Sequence, residues 1–293
     1  MHADEVLTDT ALVRRLLWTQ FPLWADLSVE AVKPLGTDNA VYRLGSQLAV
    51  RLPRVSDASD IPAKTFHWLP LIAPQLPLVA PVPIALGSPI REYPFRWTVC
   101  HWVDGESATP DKLAHPNQTP LDLARLIIAL QFIDGDGAPG PEGRGGPLYE
   151  RDDATRDAIG ALRDELDVDR ATSLWQAALR APAWQGPGVW IHGDLDARNL
   201  LASDGRLSGV IDFDAMCVGD PAYDVMVAWK MLAASERQTF RDAVGVDDAT
   251  WLRAKGVALS QAVIALAYYT METNAVLVNE ARRWLADVLV DSD

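Results

Sequence analysis

Val189-Trp190-Ile191-His192-Gly193-Asp194-Leu195-Asp196-Ala197-Arg198-Asn199-Leu200-Leu201 holds the densest chemistry in this chain of 293 residues. An apolar, strand-like run enters His-Gly-Asp, and Asn199 follows Asp194 after four intervening residues. Downstream, Val210-Ile211-Asp212-Phe213-Asp214 again delivers an acid from an apolar run. Between the two lies Asp204-Gly205, set between apolar runs, the strongest short-range hairpin signal. With that pair as a two-residue loop, Ser203 faces Arg206, Asn199 faces Val210 and Asp212 faces Ala197. Asn199 and Asp212 then begin and end one hairpin, roughly two residues (about 7 Å) apart along it. Two oxygen donors so placed suit Mg²⁺, which takes few protein oxygens and completes its shell with phosphates and water.

Just beyond, Val218-Gly219-Asp220-Pro221-Ala222-Tyr223-Asp224-Val225 opens a helix, with Asp220 as its cap and Pro221 at its first position. Asp224 is read as a hydrogen-bond acceptor for neighbouring loops, not as a chemical group.

Outward from this centre the chain changes character. Residues 9–20 carry Leu12, Val13, Leu16 and Leu17 at helical spacing. Short strand-like runs follow at Val29–Val32, Ala40–Leu44 and Leu48–Leu52, separated by Gly36-Thr37-Asp38-Asn39 and Gly45-Ser46-Gln47 as in an antiparallel sheet. A short helix is predicted over 60–69, ending near Pro70, and extended chain over the Pro-rich 70–94. Trp97 to Val103 reads as a strand. A boundary at Asp104 divides a mostly β part, 1–103, from a helical part, 104–293. In the latter, Thr119-Pro120 caps a helix to about Ile133, a Gly- and Pro-rich loop spans 134–147, and helices cover 152–166, 169–180 and most of the chain after Pro221.

Composition narrows the function classes. The net charge of −14 argues against a nucleic-acid binder, which needs Lys and Arg against phosphates. The same charge permits a cationic small-molecule substrate, because a cleft of one sign concentrates the other. With no run of eighteen apolar residues, no membrane span is expected. Two distant cysteines, Cys100 and Cys217, and the absence of a signal-peptide pattern fit a reducing, cytoplasmic setting. The 11 Trp are expected mostly in cores.

The Asp-x4-Asn spacing and the second acid are shared with protein kinases, where the Asp accepts the hydroxyl proton and the Asn and the second Asp hold magnesium. Together with Gly36-Thr37-Asp38-Asn39-Ala40-Val41-Tyr42, Val50-Arg51-Leu52-Pro53, Trp68-Leu69-Pro70 and Arg144-Gly145-Gly146-Pro147-Leu148, these residues resemble the aminoglycoside phosphotransferase family, in an actinobacterial-type branch. The resemblance implies an α+β, two-lobed protein-kinase-like fold, with a mostly β N-lobe and a helical C-lobe. It implies transfer of the γ-phosphate of ATP or GTP to a small-molecule hydroxyl, with Mg²⁺ as cofactor. By that match Asp194 is the catalytic base and Asn199 and Asp212 the metal ligands. Gly36, Thr37, Asp38 and Asn39 form the nucleotide-covering turn, Arg51 positions phosphates, and Cys100 to Val103, including Trp102, form the segment that meets the purine.

The chain departs from the family in places. Asp196 and Arg198 replace the usual His and Gly after the catalytic Asp, and can pair. Asp214 stands where Gly often follows Asp-Phe. Kinases pair a strand Lys with a helix Glu; here the strand offers Arg51, and residues 60–72 contain no Glu. Thr65 stands about where that Glu belongs, and Asp57 or Asp60 is the expected partner of Arg51. The acceptor is expected to be aminoglycoside-like or another antibiotic. The alternatives are a small alcohol or (amino) sugar, or a catalytically weak nucleotide-binding protein that lacks the helix Glu. Candidate acceptor-facing residues are Asp134, Asp136, Glu142, Asp152, Asp153, Tyr268, Glu272 and Glu280.

Overall fold

The computed structural model describes residues 5–32, 39–115 and 117–290, with the side chain of residue 57 outside that description. The chain forms two compact units, one of Met1–Asp104 with Gly209–Asp214, the other of Gly105–Ser208 with Ala215–Asp293. No helix of the described residues is long and apolar enough to cross a membrane.

In the first unit, α1 (Thr10–Gln20) starts at Asp9, whose side chain accepts the Leu12 N–H at 2.7 Å. Its buried stripe is the predicted Leu12, Val13, Leu16 and Leu17. Strands β1 (Val29–Ala31), β2 (Asn39–Leu44), β3 (Leu48–Pro53), β4 (Pro83–Gly87) and β5 (Trp97–His101) form an antiparallel sheet in the order β1-β2-β3-β5-β4. Arg51 on β3 lies between Val41 of β2 and Thr98 of β5. Helix α2 (Ile61–Ile72) runs through Pro70 instead of ending there. Leu69 and Ile72 are both buried, and their packing outweighs the N–H that proline removes. Strand β4 lies in the segment expected to be merely extended. It is an edge strand, where proline is tolerated, and Pro83 opposes Cys100 beside a shift in the pairing register. Gly87 is required on β4, because a Cβ there would meet the Trp97 indole at 2.0 Å. Gly209–Asp214 joins this unit through a parallel bridge from Val79 to Gly209 and a Val210 N–H to Val79 carbonyl bond of 2.9 Å.

The second unit is mainly helical: α3 (Thr119–Phe132), α4 (Asp152–Ala161), α5 (Val168–Arg180), α6 (Ala222–Val225), α7 (Val227–Met231), α8 (Ala234–Val244), α9 (Asp248–Tyr268) and α10 (Met271–Val290). Thr119 is the first helical residue of α3 and not its cap, a place taken by Gln118. Helix α9 is buried over much of its length, with Ala254, Val257, Ala258, Leu259, Ala262 and Val263 inside. Trp175, Trp190, Trp229 and Trp284 are fully buried here, and Trp97 is in the first unit. Two small sheets interrupt the helices. Strand β7 (Val189–Ile191) pairs with β10 (Cys217–Gly219), while β6 (Glu106–Ser107), β8 (Leu200–Ser203) and β9 (Arg206–Val210) form the other. The turn between β8 and β9 has Asp204 at φ 51° and Gly205 at φ 74°, the left-handed pair a two-residue hairpin loop requires. The division into a β-sheet region followed by a helical region is the one expected of the α+β class.

Candidate active site

Strand β7 delivers His192-Gly193-Asp194 as anticipated, and the loop is held from beneath. Asp224, on α6 and 1% exposed, accepts the His192 N–H at Oδ2 and the Gly193 N–H at Oδ1, both at 2.8 Å. This is the loop-anchoring role read from the sequence. Gly193 has φ 80°, and a Cβ there would meet the Ala215 carbonyl at 3.0 Å, so this step of the turn needs glycine. The helix begins one residue later than expected, at Ala222, so its cap is Pro221 and not Asp220, although Asp220 Oδ1 still accepts the Ala222 N–H at 2.9 Å. Arg253 of α9 grips Asp220 with Nε at 2.7 Å and Nη2 at 3.1 Å.

Asp194 and Asn199 are brought together. The Asn199 amide nitrogen donates to the Asp194 carbonyl at 2.9 Å and to its Oδ2 at 3.3 Å, leaving the amide oxygen as the atom of the type that ligates hard cations. The bend between them is local: the Asp196 carbonyl accepts the N–H groups of Asn199 and Leu200 at 3.1 Å. The expected Asp196–Arg198 pair forms at 2.5 Å, with Asp196 fully buried.

Two cations at Asp194 were not assigned from the sequence. Arg144 donates from Nη1 to the Gly193 carbonyl at 3.0 Å and to Asp194 Oδ1. Its glycine-rich loop is pinned by an Asp220 N–H to Gly145 carbonyl bond of 2.9 Å. Lys230 of α7, 1% exposed, lies 3.7 Å from both Asp194 Oδ1 and Asp196 Oδ2 and 4.5 Å over the Trp284 ring. Burial acts to raise the Asp194 carboxyl, but Arg144, Lys230 and Arg198 outweigh it and hold the group well below the usual carboxylate range. Asp194 is therefore held ionised within a cationic collar. Of the acidic candidates for the acceptor, Glu280 joins this cluster through Arg198 at 3.2 Å. Asp152 instead accepts the Trp175 indole N–H and pairs with Arg156, both at 2.7 Å, and Asp134 accepts the Asp136 N–H at 3.0 Å.

Asp212 and Arg51 meet in the first unit. Arg51 Nη2 donates to Asp212 Oδ1 at 2.7 Å and to Asp214 Oδ1 at 3.0 Å. Among the described side chains Arg51 pairs with these two acids and not with the expected Asp60; the Asp57 side chain lies outside the described residues. Burial disfavours the guanidinium charge, yet Asp214 and Asp212 overcome it and push its pKa above the ordinary value. Burial pushes the Asp214 carboxyl up, Arg51 pulls it back, and Asp212 adds to the push. Asp212 itself sits at φ 64°, in the left-handed region, with a side chain 44% exposed and available to a ligand. The Thr65 hydroxyl bonds to the carbonyls of Ile61 at 3.0 Å and Pro62 at 3.2 Å within its own helix.

Among the residues expected to bind nucleotide, Gly36, Thr37 and Asp38 lie outside the described residues. Asn39 is described, and its side-chain nitrogen donates to Asp214 Oδ2. Cys100 is buried on β5; burial pushes its thiol up to about 11, against the pull of Arg51, so it packs as a neutral group. The Trp102 N–H donates to the Gln47 carbonyl at 2.8 Å and the His101 N–H to Val82 at 3.0 Å, so both donors are engaged within the sheet. The Trp102 ring lies 4.7 Å from the Arg43 guanidinium, a packing contact.

The chain matches the model of the phosphotransferase enzyme family over residues 32–257. Comparison with curated proteins finds no match. Among solved structures, the GDP complex of wild-type aminoglycoside 2'-phosphotransferase-IIIa has a TM-score of 0.73 at 20% identity, covering 97% of this chain and 99% of its own. An ADP-bound aminoglycoside phosphotransferase, 15% identical, scores 0.61 over 96% of this chain and 98% of its own. The macrolide 2'-phosphotransferase of Brachybacterium faecium, 18% identical, scores 0.62 over 97% and 99%. At such identities the structural likeness is one of fold, here the protein-kinase-like fold. The family model, by contrast, spans most of the sequence, and on it the chain belongs to the phosphotransferase enzyme family.

Proposed function

We propose that this protein transfers the γ-phosphoryl group of ATP or GTP to a hydroxyl of a small molecule, with Asp194 as base and Asn199 and Asp212 as magnesium ligands. The observation that carries the reading is Asp194 itself: a carboxylate kept ionised, on a loop fixed by Asp224, beside Asn199. Acceptor oxygen attacks phosphorus, the bond from the γ-phosphorus to the bridging oxygen breaks, and the hydroxyl proton passes to Asp194. The products are a phosphate ester and a nucleoside diphosphate. An amide oxygen on Asn199 and an exposed carboxylate on Asp212 are the hard donors Mg²⁺ takes, so the residues fit the metal. When bound with nucleotide, magnesium neutralises phosphate charge. Arg51 holds phosphate oxygens by its planar fork, under a covering turn of Gly36, Thr37, Asp38 and Asn39, with the purine at Cys100–Val103.

For the acceptor we favour an aminoglycoside-like compound or another antibiotic. The net charge of −14 suits a cation, and the solved relatives include a kanamycin complex and a macrolide phosphotransferase. The second reading, a metabolic kinase of a small alcohol or amino sugar, uses the same machinery. Purified protein with Mg²⁺ and ATP or GTP, assayed for diphosphate release against aminoglycosides, macrolides, amino sugars and small alcohols, tests both. Acceptor-dependent release supports the reading and names the class; none with any member counts against it.

A further inference from the structure

We infer that Asp214 is the positioning residue for Arg51, the carboxylate that replaces the helix acid this chain lacks. The inference rests on the proposed nucleotide role of Arg51. Residues 60–72 contain no Glu, and Thr65 spends its hydroxyl on its own helix. A strand cation of this kind still has to be held. Asp214 holds it from the far end of the sequence, with Oδ1 3.0 Å from Arg51 Nη2.

Asp214 is itself fixed on three sides. Its Oδ2 accepts the Asn39 amide, its Oδ1 accepts Arg51, and its carbonyl accepts Lys64 Nζ at 2.6 Å. Lys64 lies on α2, next to Thr65. The helix therefore sends a cation to the backbone of residue 214, and residue 214 returns the acid to the strand. The polarity of the usual strand–helix pair is kept at the strand, with its acid relocated.

Arg51 also touches Asp212, at 2.7 Å, and exposure separates the two acids. Asp212 is 44% exposed at its side chain and Asp214 17%. An exposed acid is the one open to a metal, and a buried, triply fixed one is suited to orient a partner. A Gly at position 214, the residue often found there in the family, offers no side chain for this task.

The test is a double-mutant cycle on nucleotide affinity, read by calorimetry with non-hydrolysable ATP and GTP analogues and Mg²⁺, using native protein, Arg51→Gln, Asp214→Asn and the double variant. Asp214→Asn is expected to weaken the analogue Kd by about tenfold, the scale of one charge-assisted hydrogen bond. In the Arg51→Gln background the same change should have an effect under about twofold, because the nucleotide effect of Asp214 is assigned to its Arg51 contact and not to its Asn39 contact, which is intact in both backgrounds before the change. Kinetics should show a raised KM for nucleotide and an unchanged KM for acceptor. Equal weakening in both backgrounds, or none in either, overturns the inference while leaving the proposed function standing. A native protein that binds neither analogue overturns both. If Asp214→Asn melts below the assay temperature, Asp214→Glu replaces it in the same cycle. Its carboxylate, displaced by one methylene, should weaken binding only where Arg51 is present.

Discussion

Replacing Asp224 by Asn probes how the His192–Asp194 loop is held. The native carboxylate is 1% exposed and accepts two main-chain N–H groups, of His192 and Gly193, at 2.8 Å each. Asn keeps one acceptor and turns an NH₂ group onto the other N–H. That N–H is then buried without a partner, at about 1–3 kcal/mol, and the surviving bond loses its charge, worth about 1 kcal/mol more. The total, about 2–4 kcal/mol, amounts to roughly 5–15 °C in Tm for a chain of this size. Urea unfolding followed by Trp fluorescence reads it, with the slope m unchanged if the denatured state is unaffected. Because His192 and Gly193 lead directly into Asp194, kcat should fall with stability, by about tenfold or more, through lost orientation of the proposed base. A variant within about 0.5 kcal/mol of native stability, the scatter of an ordinary surface change, and with native kcat, would refute the anchoring role.

Three further outcomes are expected. Arg253→Met strips Asp220 of a two-pronged partner in a site where both side chains are at most 10% exposed, and should cost about 3–5 kcal/mol in urea unfolding; adding Asp220→Asn should recover part of the loss. Arg144→Gln removes the guanidinium bonded to Asp194 Oδ1 and should lower kcat by about tenfold or more, with nucleotide Kd held within about threefold, as measured by steady-state kinetics and calorimetry. Asn199→Ala and Asp212→Ala should each weaken nucleotide binding in the presence of Mg²⁺ and change it little in EDTA; losses of equal size with and without the metal would count against their role as ligands.

What could be read in the sequence is what the chain builds locally. The Asp204-Gly205 turn, the Asp194–Asn199 spacing, the Asp196–Arg198 pair and the Asp224 anchor each involve residues close in sequence or joined by one short strand pair. The α1 stripe was legible for the same reason, since a period in the sequence is a face in the helix. What stayed hidden depends on distant encounters. Arg51 and Asp214 are 163 positions apart, so nothing near Arg51 in the sequence indicates this partner, and Asp57 and Asp60 are the nearer acids. Arg144 lies in a Gly-rich loop, but its contact with Asp194 goes with distant bonds, among them those from the Asp220 N–H and Cys217 Sγ, that pin that loop to the strand pair. Lys230 stands among apolar neighbours in the sequence; a buried Lys in such a run is itself the signal, since it needs acids, and finds Asp194 and Asp196. The extent of α2 and the position of β4 were masked by prolines, whose cost vanishes on an edge strand and is outweighed inside a well-packed helix.

The most direct measurement is phosphoryl transfer by Asp194→Ala, alongside calorimetric binding of a non-hydrolysable nucleotide analogue. If Asp194 is the base, transfer to the best acceptor should fall by about 10²–10⁴ while nucleotide Kd stays within about threefold. A variant that keeps more than about a tenth of the native rate would contradict the assignment of Asp194, and with it the central chemistry proposed for this site.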